Sequence, residues 1–378
     1  MSRRLRSAFR GTRAVDVPEL LGQCEGKPRL LRRRSFWKRV VVIACGLVAV
    51  APARAADLEG SRVFEAVQQQ VRTVFEKCRG AVVKIEGTDA HGRLSGTGFF
   101  IDPNGTLYTC YSVGGETRDI SVTLNGVKHS AVRVFGDLRS GVAILKIAAE
   151  TPFLTFGSSR SLAVTSPVMT LGYPMDLPVS PSFGMVAGFD IKYLGRLFAT
   201  THIRANVPVQ RGQGGAPLLN LNGEVVGLLI SSLDEGSASF ALPIEAAEKV
   251  RNDFVRFREV RRGWLGIQVG RAESPVQGSS VEVKDIMLDS PGLKHGLQTG
   301  DVLLQVGERP IKNPEDVLDA AFYLGVDDQV PVRLVRGGNT LELQLHSAKH
   351  PDGSPALGRP VPAQLFGSEL NAAPLGAK

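Results

Sequence analysis

Residues 210–220, QRGQGGAPLLN, set three glycines, Gly212, Gly214 and Gly215, ahead of a short apolar run. Glycine reaches positive φ without a Cβ clash, so a loop this rich in it reads as a tight backbone turn. Pro217-Leu218-Leu219 reads as a short strand, Asn222-Gly223 as a turn, and EVVGLLISSL (224–233) as the next strand. Between Thr201 and Ser231 there is no Ser, Thr or Cys, so the loop has no hydroxyl or thiol to offer.

Similar strand-like runs fill the chain on the N-terminal side. They are GAVVKIEG (80–87), GTGFFID (96–102), TLYTCYSV (106–113), DISVTL (119–124), SAVRVFGD (130–137), VAILKI (142–147), SPVMTLGYP (166–174) and FGMVAGF (183–189). Many short apolar runs punctuated by Gly, Pro and Asn predict a mostly β architecture, barrel or sandwich. The 42 Gly, 22 Pro and 6% aromatic content agree with it. Helical spacing appears at 61–77, where Val63, Val67, Val71 and Val74 recur with Phe64 and Phe75 beside them, and again in PIEAAEKVRNDFVRF (243–257). A third helix is expected at 313–325, with Asn313 as N-cap, Pro314 in the first turn and Gly325 at the stop.

The net charge of +8 comes from the start of the chain, where residues 1–55 hold 13 Lys and Arg against 3 Asp and Glu. The rest is close to neutral, which excludes a basic nucleic-acid surface. RRRSFWKR (32–39), VVVIACGLVAVA (40–51) and the small residues Ala53–Ala56 form the charged, apolar and cleavage regions of a signal peptide. Arg33-Arg34-Ser35-Phe36-Trp37-Lys38 also fits a twin-arginine signal, so the Sec and twin-arginine routes both stay open. An exported, periplasmic or cell-envelope protein is expected. Cys78 and Cys110 lie in apolar runs and read as two buried thiols rather than a bridge. No cysteine–histidine spacing points to a metal, and no cofactor is expected.

In order, these segments resemble the HtrA/Deg family of trypsin-like serine proteases over roughly residues 62–347. GTGFFIDPNGTLYTCYSV is similar to the family's catalytic-histidine segment, FGDLRSGVAILKI to its aspartate segment, and RGQGGAPLLNLNGEVVGL to its nucleophile loop. The resemblance implies a trypsin-like double β-barrel followed by a PDZ domain. The expected division is a leader (1–55), a degenerate protease domain (56–257), a connector (258–262), a PDZ domain (263–347) and a disordered tail (348–378). In this register the histidine, aspartate and serine positions hold Ser112, Gly141 and Gly214, and Gly212, Gln213 and Gly214 form a vestigial oxyanion loop. Acyl transfer of this kind needs a nucleophile, a base and an orienting acid. The expectation is therefore a chain that is not an enzyme, an inactive homologue. The alternatives are an endopeptidase with a non-standard site, for which Cys110 or Ser112 would be the nearby nucleophile, and a purely structural envelope subunit.

GWLGI (263–267) resembles a PDZ carboxylate-binding loop, and DSPGLKHGLQTGDVLLQVGERPI (289–311) the segment that follows it. The peptide site is expected at Trp264, Leu265, Gly266, Ile267 and Val269, faced by Val317, Ala320, Ala321 and Leu324 on the helix. Expected partners are unfolded proteins or protein C-termini. The resemblance further implies a homo-trimer using Phe64 and Phe75, or assembly with active relatives.

Overall fold

The computed structural model describes residues 53–193, 196–233 and 238–350, and the chain divides into two units between Ser61 and Arg62. Most of the expected leader (1–52) and residues 351–378 of the expected tail lie outside the described residues. From Arg62 onward, two closed barrels come first. Strands β1 (Val82–Asp89), β2 (Gly92–Phe100), β3 (Thr106–Cys110), β4 (Arg118–Leu124), β5 (Val127–Asp137) and β6 (Val142–Ile147) close in the order β1-β2-β3-β6-β5-β4. A second barrel repeats the pattern with β7 (Pro167–Gly172), β8 (Ser180–Tyr193), β9 (Arg196–Ala205), β10 (Pro217–Leu219), β11 (Val225–Leu233) and β12 (Ala238–Pro243).

Closure leaves neither barrel with a free edge, and alternate residues fill the interiors. Phe100, Leu107 and Val122 pack inside the first, Val168, Ile203 and Leu218 inside the second. The largest core lies between them. There Phe99, Tyr108 and Ile144 meet Met169, Leu171 and Leu228, sealed by the C-terminal end of α1 (Ala53–Cys78) and by α3 (Ile244–Phe257). The expected valine stripe on α1 is covered only at its end: Val74 is buried, whereas Val63 and Phe64 are 64% and 79% exposed.

Beyond α3 the chain forms a sheet of β14 (Ile267–Val276), β15 (Ser279–Ile286), β16 (Val302–Val306), β18 (Gln329–Arg336) and β19 (Asn339–His346), in that order, with β17 (Arg309–Pro310) on β16. After the short helix α4 (Pro291–Lys294), helix α5 (Pro314–Tyr323) starts with the expected cap, Asn313 and Asp316 capping each other's backbone N–H groups.

Three expectations change. TLYTCYSV is a strand only to Cys110, and Tyr111–Gly114 turn as a short helix, α2. The Tyr111 N–H still donates to the Gly141 carbonyl at 2.6 Å, carrying the Cys110–Val142 register one residue further, and the pairing ends there as Gly141 takes φ +77°. α5 ends one residue before Leu324, which is extended. Lastly, the expected tail begins as structure. β20 (Ala348–Lys349) pairs with β13 (Gly263–Trp264), and the His350 N–H donates to the Arg262 carbonyl.

Candidate functional sites

The three positions singled out in sequence come together at the seam between the barrels. Ser112 lies in the α2 turn, half-buried, its Oγ 3.1 Å from Cys110 Sγ. Burial pushes the Cys110 thiol above its ordinary pKa, so it is a poor thiolate. Gly141, at φ +77°, ties itself to α2 through the Tyr111 bond, and its own N–H donates to the Asp137 carbonyl at 2.9 Å. Asp137 takes the Ser140 hydroxyl at 2.6 Å and is thereby committed to its own turn.

Gly214 is held from the first barrel, its carbonyl accepting from Thr97 N–H at 2.9 Å. Next to it, Gly215 at φ +84° leaves no room for a side chain: a Cβ would lie 2.2 Å from Thr109 Oγ1 and 2.3 Å from the Thr97 carbonyl. Thr97 also donates through Oγ1 to the Gly212 carbonyl at 2.7 Å, and Thr109 Oγ1 donates to the Thr97 carbonyl at 2.7 Å. Sequence reasoning missed this threonine pair. Both are fully buried polar residues within apolar runs, and nothing in GTGFFID or TLYTC marks them.

Among the described residues no hydrogen bond occupies the N–H of Gly212 or Gly214, so the expected oxyanion donors are free. Gln213, between them, is buried and turned inward. Its Oε1 accepts from Gln210 N–H at 2.7 Å, and its Nε2 has no partner among the described residues. The seam thus keeps a bent, donor-bearing backbone, with one hydroxyl and no imidazole or carboxylate at the three positions. Cys78 and Cys110 are free and buried, and no group of three or more His, Cys, Asp or Glu placed to hold a metal occurs among the described residues.

The second site is the groove between β14 and α5. Gly266 (φ +70°) bends the preceding loop so tightly that a Cβ would lie 2.1 Å from that of Ser290. Inward-facing carbonyls hold the loop: Leu265 accepts from Gly292 N–H at 2.8 Å and Gly266 from Met287 N–H at 2.9 Å. No internal hydrogen bond takes the Leu265 or Gly266 N–H among the described residues. β14 is the outermost strand of its sheet, so its far edge is open. Ile267, Val269, Val317 and Ala321 are half-buried beside it. Two expected lining residues are elsewhere. Leu324, past the helix end, and Ala320 are buried in the sheet's core, and Gly263 packs against Leu324. Trp264 is engaged in the β13–β20 pair, its ring 6.3 Å from that of His350.

Family models fit both parts of the chain: a trypsin-like peptidase domain over residues 96–228 and a PDZ domain over 263–346. The chain belongs to the HtrA family. It is 28% identical over 280 residues to a probable periplasmic serine endoprotease DegP-like of Chlamydia trachomatis serovar D, which covers 70% of this chain and 56% of the relative. A protein of the same description from Pseudomonas fluorescens is 30% identical over 270 residues, covering 66% of this chain and 55% of the relative. The chain therefore spans little more than half the length of these HtrA-family relatives. Among solved structures, the HtrA-type protease AlgW with tripeptide superposes at TM-score 0.62 and 21% identity, covering 75% of this chain and 99% of AlgW.

These relatives correct one expectation. The expectation that the chain is not an enzyme is not upheld, because the proteins it matches are named serine endoproteases. Substitution of three positions removes one proton relay. It does not by itself establish that no peptide bond is cut, because the donor-bearing loop remains in place.

On its other face α5 is fastened to the second barrel. Asp319 Oδ1 accepts from Thr200 Oγ1 at 2.5 Å and from Thr201 N–H at 2.7 Å, and Oδ2 pairs with Arg309 at 3.0 Å. Phe322 joins the core shared by the two barrels. The wall of the peptide groove is therefore also an inter-domain contact. PEDVLDAAFY gives no sign that Asp319 is buried while Asp316 caps the helix.

Proposed function

We propose that this chain is an exported HtrA-like protein of the cell envelope that binds polypeptides by their free, apolar C-termini, or unfolded segments, in the groove between β14 and α5. The observation that carries the reading is the unoccupied pair of N–H groups at Leu265 and Gly266 at the head of an open strand edge. Terminal carboxylates are captured by such converging donors, and the last residues of the ligand add a strand beside β14. The charged n-region and apolar run before Ala56, with the periplasmic naming of the relatives, support the location. Exposed Val63, Phe64 and Val67 on α1 support an assembly of several copies or with related chains.

Calorimetry with one decapeptide in its free-acid and C-terminally amidated forms tests the reading. The amide is expected to bind about tenfold more weakly or worse, since a charge-assisted contact to two N–H groups is lost. Equal affinities would overturn the carboxylate role of Leu265 to Ile267.

A second reading is favoured by the free Gly212 and Gly214 N–H groups and by the relatives' named activity: an endopeptidase in which these donors stabilise the oxyanion while the nucleophile comes from outside the three positions. Casein cleavage by protein freed of contaminating proteases, lost on closing the loop with Gly212→Pro, supports it. Cleavage unaffected by that change, or no cleavage, removes it.

A further inference from the structure

The end of the groove remote from the carboxylate loop carries charges that terminal-carboxylate capture does not use. The C-terminal end of α5 adjoins the loop, because Gly263 N–H donates to the Leu324 carbonyl at 3.0 Å. Its first turn, ten residues away at the Pro314 end, stands about 15 Å off at a rise of about 1.5 Å per residue. An extended peptide covers that span in about four residues.

At this end Glu315 meets Lys192 Nζ at 2.9 Å. Lys192 comes from β8, so the second barrel supplies part of the groove's rim. Lys192 and, more weakly, the Arg271 guanidinium hold the Glu315 carboxyl below its ordinary pKa. Arg271 is exposed and two alternations along β14 from Ile267, on the side that meets α5. The other nearby charges are occupied: Lys284 pairs with Glu282 at 2.8 Å, and Asp316 accepts the N–H groups of Lys312 and Asn313. Two cations thus face one carboxylate, which Lys192 already neutralises, and among the described residues Arg271 has no close partner of its own. Glu273, exposed two residues further along β14, ends the positive stretch.

A ligand with its carboxylate at Leu265–Ile267 must run antiparallel to β14. Its terminal residue then lies opposite Ile267, and the residue four places earlier opposite Arg271. We propose that Arg271 and Lys192 make this groove selective for peptides with an acidic side chain about four residues before an apolar C-terminus. The inference rests on the terminal-carboxylate reading above.

The test uses the full chain and three fluorescent decapeptides that share an apolar C-terminus and differ only in Glu, Ala or Lys at the fourth residue before it, each as acid and as amide. Glu is expected to bind about three- to fivefold more tightly than Ala and Lys more weakly than Ala, with the spread collapsing in about 0.5 M salt, as for charges at a solvated rim. Arg271→Glu, at an exposed position that folding does not depend on, is expected to reverse the order while the acid–amide difference persists. Three equal affinities with an intact acid–amide difference would overturn the charge selection alone. Loss of the acid–amide difference would overturn both readings.

Discussion

At the barrel seam and at the peptide groove the chain bends its backbone in the same way. Gly212 and Gly215 at the seam and Gly266 at the groove all have left-handed φ, and all three press so closely on a neighbour that a Cβ has no place. Around Gly266 the side chains continue the device: Ile267, Val269, Val317 and Ala321 stand beside a free strand edge. Around Gly214 they do not, and the Ser112 hydroxyl is paired with a buried thiol. Backbone donors and side-chain chemistry are separable properties of a site. A loop can keep its shape for packing reasons whatever stands at the reacting positions, because Thr97 and Thr109 hold it through main-chain atoms.

The largest effect that would break this view is at Gly215. Gly215→Ala sets a methyl against a backbone carbonyl at positive φ, and is expected to destabilise the barrels by about 3–4 kcal/mol. Trp264 is the only tryptophan after Trp37 of the leader, so its emission follows the PDZ part while far-UV circular dichroism follows the whole chain. Urea unfolding should show the barrel transition shifted more than the Trp264 transition. A shift under 1 kcal/mol would mean that the seam loop yields easily and that its shape is not fixed by packing.

Much of this contrast is legible in sequence, for a local reason. Glycines that need positive φ announce turns wherever they fall, so QRGQGGAP and GWLGI are readable without neighbours. Strands closed into barrels also declare themselves by apolar runs between Gly, Pro and Asn. What sequence hides is what a distant residue decides. β9 went unread because RLFATTHIRA mixes a buried histidine, threonines and arginines, and its burial depends on β8, β12 and α5. The α2 turn, the Asp319 anchor and the return of Ala348–Lys349 to Trp264 all depend on partners between 30 and 119 residues away.

A middle-sized effect concerns the strand that fastens the groove's wall. His202 on β9 is buried, stacked on Phe198, with Nδ1 2.7 Å from the Thr200 carbonyl. Burial lowers its pKa from 6.5 to about 4. The unfolded chain gains a proton below pH 6.5 that the folded chain refuses until about pH 4, so stability is full above pH 6.5 and falls as the pH drops between those values. At pH 5 the loss is about 2 kcal/mol. Urea unfolding of the wild type and of His202→Gln at pH 7.5 and 5 should show that fall shrinking in the variant. An equal fall in both would assign the acid sensitivity to other groups.

The smallest effect sharpens the comparison at its least settled point, Gly141. If this position were only a side-chain vacancy, any small residue would be accepted equally. The geometry makes a different demand. Gly141 has φ +77° and uses both main-chain groups, donating to Asp137 and accepting from Tyr111, so its backbone cannot relax without dragging α2 and Ser112 along. A Cβ there would lie 2.9 Å from Ile230 Cγ2 and 3.1 Å from its Cδ1, a buried β-branched side chain with little freedom to turn aside. Contact and positive φ therefore add. Gly141→Ala is expected to cost about 1–2 kcal/mol. Gly141→Asn should cost less, because asparagine enters the left-handed region more readily than alanine does. Thermal and urea unfolding of the two variants gives the order directly. Two variants as stable as wild type would show that the seam tolerates a side chain here, and the glycine would then owe nothing to the backbone path that joins Asp137 to α2.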